Sequence, residues 1–157
     1  MKINWRRLIK CIAIPLLVGV VAGLLTRSSM ETFGKLQQPP FSPPGWLFPV
    51  VWTILYILMG IASYLVLESG KPQEEIQKAM NVYFYQLVVN FLWPIFFFSL
   101  GWYLFAFVWL LLLWVLVWIT FLRFFSISKA AGYLLIPYLL WLTFAGYLNL
   151  GIWYLNT

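Results

Sequence analysis

Apolar positions in this chain come in blocks and do not alternate with polar ones. Five runs near twenty residues, at about 8–26, 46–67, 79–99, 102–122 and 130–153, are almost free of charge, and short polar stretches divide them. A helix rising about 1.5 Å per residue crosses a hydrocarbon core of about 30 Å with such a run. A chain in lipid must satisfy its own backbone, and these runs lack the two-residue period of barrel strands. The pattern therefore predicts an all-α integral membrane protein, one bundle of five transmembrane helices occupying residues 1–157.

The polar punctuation agrees with this division. Gly70 suits the end of the second helix, and Pro72 with Glu74 and Glu75 suits the start of the third, where Glu74 and Lys78 form an i,i+4 pair. Ser128 is placed to cap the fifth. Only Ser99-Leu100-Gly101 separates the third and fourth helices, which makes them antiparallel neighbours. The first connection, about 27–45, is the exception to short links. It carries "QPPFSPPGW", Gln38 to Trp46, and proline neither donates to a ladder nor continues a helix. A stiff, aromatic-bearing loop loses less entropy on ordering, so it is expected to act as a preformed lid over one end of the bundle through Pro39, Phe41, Pro43, Pro44 and Trp46.

Composition strengthens the membrane reading: 64% of residues are apolar and 9% charged, against roughly 45–50% and 25% in soluble domains. The net charge of +6 does not point to nucleic acid, because it is segregated. Lys2, Arg6, Arg7, Lys10, Lys71, Lys78, Arg123 and Lys129 fall on one side of the predicted bundle, and only Arg27 and Lys35 on the other. That asymmetry puts the N-terminus in the cytoplasm, with a bacterial inner membrane expected from the apolar helices and basic N-terminus. The first run has a basic start, as a signal peptide would, but its length and the "GVVAG" packing pattern predict a retained span. With one cysteine, Cys11, and no histidine, an intrachain disulfide and a Cys/His metal site are both absent from the expectations.

No charged residue lies in the middle of a run, which removes paired-carboxylate and triad chemistry and disfavours proton coupling. Amides and large rings remain. Gln86, Asn90, Trp93 and Phe97 follow i, i+4, i+7, i+11 on one helical face, and Pro94 frees the carbonyl of residue 90. Trp52, Tyr56 and Met59 make a second stripe, and Trp141, Phe144, Ala145, Leu148 and Asn149 a third. Each stripe alone reads as core filler. Three together predict a capped cavity for a flat apolar molecule with a few polar atoms. The fourth run, apolar on every face, fits lipid contact. Gly19, Ala22 and Gly23 form a small-residue surface suited either to a homodimer seam or to packing within the bundle.

The segments "LQQPPFSPPGWLFPVVWTILYILMGIASYLV", "YQLVVNFLWPIFF" and "LLIPYLLWLTFAGYLN" resemble, in order and spacing, the tryptophan-rich sensory protein or translocator protein family, TspO, also called the peripheral-type benzodiazepine receptor family. The resemblance implies a five-helix bundle, often dimeric, whose cavity binds porphyrins such as protoporphyrin IX, with no cofactor required. It places the pocket tryptophans at Trp52 and Trp141, the third-helix amide and ring at Asn90 and Trp93, wall positions at Ala145 and Leu148, and the loop motif at Pro43, Pro44 and Trp46. The chain departs at Phe41, where the family often has Trp, and at Leu150, where the animal cholesterol motif has Tyr. The expected function is a tetrapyrrole-binding protein or sensor, with metal-free porphyrin preferred to haem because no histidine can serve as an axial ligand. The alternatives are light-dependent porphyrin degradation, with Trp52 and Trp141 as the catalytic residues, and passive carriage of small apolar ligands.

Overall fold

The computed structural model describes residues 2–157. Helix α1 spans Trp5–Thr26 and runs through a tight 3-10 turn, Arg27–Ser29, into a short α2, Met30–Gly34. Then come α3 Leu47–Leu67, α4 Gln73–Pro94 with a π-helical turn Ile95–Ser99, α5 Tyr103–Ile127 and α6 Lys129–Leu155. Five segments are long and apolar enough to cross a membrane, and the described residues contain no strand. Even the shortest spanning helix, α3 with 21 residues, reaches about 30 Å.

Local chemistry accounts for the boundaries. The Asn4 side chain accepts the Arg7 amide at 3.2 Å and opens α1 three residues before the apolar run. Ser128 accepts the Ala131 amide at 3.3 Å and caps α6 as expected. Gly70, with φ at +74°, provides the left-handed turn beyond α3. At the far end of α4, Pro94 has no amide to donate, and the backbone widens: the Leu100 amide reaches back five residues to the Ile95 carbonyl at 3.0 Å. Trp109 meets this level of α4 from α5, donating to the Val89 carbonyl at 2.8 Å, one residue before the carbonyl that Pro94 was expected to free.

The first connection differs from the expectation. Arg27–Gly34 is helical, so the loop proper is the twelve-residue stretch 35–46. The helical part is held from outside: Phe33 packs edge-on against Phe98 at 5.1 Å and against Phe97 at 5.7 Å. The stretch after it straps onto the end of α6. Gln37 and Asn156 exchange two hydrogen bonds of 3.0 Å, the Tyr147 hydroxyl donates to the Pro40 carbonyl at 2.6 Å, and Pro39 lies so close to Gly151 that a Cβ there would come within 2.7 Å of its ring.

The spans close a ring in which α1 packs on α3, α3 on α6, α6 on α5, α5 on α4 and α4 on α1. One core cluster, centred on Met59, Tyr83, Leu113, Phe124, Leu135 and Tyr138, fills the end of the ring away from the strap. A smaller cluster around Phe97, Ala106 and Ile152 sits under the strap. Gly60 admits α1, because a Cβ there would stand 2.6 Å from the Ile12 Cα. Gly19 likewise faces the Tyr56 ring of its own chain, and Ala22 is buried. Gly19 and Ala22 are thus engaged inside the bundle, whereas Gly23 is exposed and an added Cβ there would meet nothing within 4 Å.

Candidate functional site: a capped aromatic cavity

Between the two clusters lies a cavity of about 330 Å³, within the range of roughly 300–1,000 Å³ typical of small-molecule sites. Every spanning helix contributes to its wall. Trp52 and Tyr56 come from α3, Asn90 and Trp93 from α4, Phe97 from the π-helical turn, Leu113 from α5, and Trp141, Ala145 and Leu148 from α6. Gly19, Ala22 and Gly23 of α1 complete it, their missing bulk leaving the space. The wall is overwhelmingly apolar, and the rings on it are mutually braced. Trp52 stacks on Tyr56 at 5.6 Å, Trp93 stacks on Phe97 at 5.1 Å, and Phe48 meets Trp141 edge-on at 5.9 Å.

The π-helical turn is what brings Phe97 and Phe98 to this wall together. A turn with one extra residue widens the helix locally, and such turns are frequent at functional sites. Leu113 modifies the expectation for α5: the helix buries one face, from Ala106 through Phe124, and shows lipid the other. Its tryptophans divide accordingly. Trp102 and Trp118 are exposed, whereas Trp109 and Trp114 donate to Val89 and Thr143 on the neighbouring helices.

Seven expected site residues lie outside the cavity wall. Gln86 is fully buried one turn of α4 below Asn90, outside the cavity wall, where its carbonyl accepts the Tyr138 hydroxyl at 2.7 Å. Phe144 faces a second, outer groove between α3 and α6, lined also by Val51, Ile54, Pro137 and Leu140. Phe41 is 89% exposed: its φ of +67° turns the ring away from the bundle. Trp46 is exposed at 67% at the foot of α3. Neither Pro43 nor Pro44 reaches the cavity, and Pro39 acts through its seat on Gly151. The roof is made instead by Met30 and Phe33 of α2 with Gln38 of the strap, none of which the proline pattern marked.

Sequence reasoning missed Tyr138. It completes a buried chain in which the Tyr56 hydroxyl donates to Asn90 Oδ1, Asn90 Nδ2 donates to the Tyr138 hydroxyl, and that hydroxyl donates to Gln86 Oε1, each at 2.7 Å. Three helices are locked by this chain at the cavity floor. The available signal was its position one turn from Trp141, next to Pro137. A second lock sits nearer the roof: Asn149 accepts the Trp93 indole N–H at 3.0 Å and donates to the Tyr103 carbonyl at 2.8 Å. The amides of Asn90 and Gln86, expected among the ligand-binding groups, are thus engaged in the scaffold. The indole N–H of Trp141, by contrast, is buried with no partner.

The model of the TspO/MBR family matches residues 11–155. The chain belongs to that family. It is 40% identical over 147 residues to the tryptophan-rich protein TspO of Chlorobaculum tepidum, covering 93% of both chains. It is 38% identical to the tryptophan-rich protein TspO of Archaeoglobus fulgidus, over 98% of this chain and 99% of that one. The translocator protein of Bos taurus matches at 37% identity over 89% of this chain and 84% of its own. As a TspO/MBR member with five apolar spans, the chain is an integral membrane protein.

Proposed function

We propose that the chain is a membrane binding protein for planar, largely apolar ligands of the tetrapyrrole class, with protoporphyrin IX as the model ligand. The observation that carries this reading is the capped cavity itself, whose floor and walls present the indoles of Trp52, Trp93 and Trp141 around an open space. Aromatic rings attract a flat π-system by stacking and edge contacts, each worth about 0.5–1.5 kcal/mol beyond area burial. Family membership supports the reading. A bacterial inner membrane with the N-terminus in the cytoplasm belongs to the same proposal, and it would put the strap and roof on the far side.

Titration of the protein in liposomes with protoporphyrin IX, followed by tryptophan fluorescence, tests the proposal. Saturable quenching is expected, with affinity about threefold to tenfold weaker in Trp52→Phe and Trp141→Phe. Affinity unchanged in both variants would place the ligand outside this cavity. Iron-loaded porphyrin should bind no better than the metal-free form, since the chain has no histidine to ligate the iron.

A further inference from the structure

The cavity carries one formal charge, and it stands at the rim. Among the residues lining it, Arg27 is the only one of the Asp, Glu, Lys, Arg and His class. It lies in the 3-10 turn joining α1 to α2, at the same end as the roof residues Met30 and Phe33. The two ion pairs among the described residues are Arg7–Glu68 and Lys78–Glu74, so Arg27 is paired with neither them nor Glu31, one helical turn ahead of it. Its donors also take no part in the side-chain hydrogen bonds of the loop, where Gln38 donates to the Phe33 carbonyl and Thr26 to the Ala22 carbonyl.

The deeper polar groups have a different status. Asn90, Tyr56, Trp93 and Asn149 are bound to one another or to Tyr138 and Tyr103, and a ligand engaging them would have to break an existing bond. The uncommitted donors on the wall include the Arg27 guanidinium, which alone carries a charge, and the indole N–H groups of Trp52 and Trp141. A neutral ligand filling the cavity would strip water from one side of an unpaired cation, which is unfavourable. An acid group on the ligand's edge would reverse that effect, because a guanidinium meets a carboxylate through two parallel charge-assisted hydrogen bonds.

From this polarity we infer that the cavity selects amphiphilic acids: a planar apolar body inserted toward Trp52 and Trp141, with a carboxylate left at the rim on Arg27. The inference rests on the ligand reading above and adds to it the chemical class of the ligand's edge. Arg27 then sets specificity and orientation, while the rings supply the attraction for the body.

The test compares protoporphyrin IX, a dicarboxylic acid, with its dimethyl ester, in liposomes of one neutral lipid composition. Membrane partitioning differs between the two probes but is the same for every protein variant, so the quantity to read is how the acid-to-ester affinity ratio changes with mutation. Arg27→Gln should lower that ratio about tenfold, the loss falling on the acid, and Arg27→Lys should lower it less, because the charge remains but the fork does not. Lys35→Gln removes the same charge from the same connection at a residue outside the cavity wall, and should leave the ratio unchanged. A ratio that does not respond to Arg27→Gln, or that falls equally in Lys35→Gln, overturns the inference while leaving the tetrapyrrole reading intact. Absence of saturable binding by both acid and ester overturns the reading, and the inference with it.

Discussion

Two buried tyrosines, Tyr83 on α4 and Tyr138 on α6, separate a hydroxyl that builds the fold from one that does not. The Tyr138 hydroxyl accepts from Asn90 and donates to Gln86, so Tyr138→Phe would leave two buried amides short of a partner. A cost of about 1 kcal/mol is expected, read as a lower unfolding midpoint in detergent. The Tyr83 hydroxyl is buried with no partner, so Tyr83→Phe should be neutral or stabilising. The reverse order of midpoints would refute the role given to the network. Residue roles were legible in sequence only as far as angle around the helix determines them. Gln86 shares the face of Asn90 but lies about 6 Å further along the axis, and depth, which periodicity does not encode, removes it from the wall. Phe144 sits about 60° to one side of Trp141 while Ala145 sits about 40° to the other, which suffices to turn it outward. Phe41 was unreadable for another reason: an aromatic residue at positive φ is uncommon, and nothing in its neighbours announces it.

Among the helices, α1 approaches α3 backbone to backbone at Gly60. A methyl group there would stand 2.7 Å from the Cys11 carbonyl oxygen as well as against the Ile12 backbone, and backbone cannot swing aside as a side-chain tip can. Gly60→Ala should therefore lower the unfolding midpoint markedly, whereas Gly23→Ala, whose added Cβ meets nothing within 4 Å, should hold or raise it through better helix propensity. Equal midpoints for the two variants would show that α1 is not pressed against α3 as described. Span existence and most caps were visible because length, hydropathy, Gly70 and Ser128 are local signals. The helical character of Arg27–Gly34 was not, since it depends on Phe33 finding Phe97 and Phe98, some 64 residues later in the chain. The π-helical turn was half visible: Pro94 marked a disturbance, but its form depends on what packs around it.

For the whole molecule, the cavity and the charge asymmetry lie at opposite ends of the ring. Eight of the ten basic residues flank the filled end, and Arg27 and Lys35 lie at the strap end. With Cys11 replaced by Ala and a single cysteine placed at Thr157, a membrane-impermeant thiol reagent should label intact cells from outside, while a cysteine at Lys71 should stay protected until the membrane is opened. The opposite labelling would invert the proposed orientation and put the strap in the cytoplasm. Across this architecture, one side chain touches two hollows at once. Trp141 lines the inner cavity on one side and the outer groove with Ile54 and Leu140 on the other, so its ring is a partition with space behind it. Volume gained by one compartment through a tilt of that ring is volume lost by the other. Solvent molecules seated in the groove, whether short detergent tails or long acyl chains, therefore set how far the partition yields to a guest, and apparent affinities measured in micelles and in bilayers describe two differently shaped chambers.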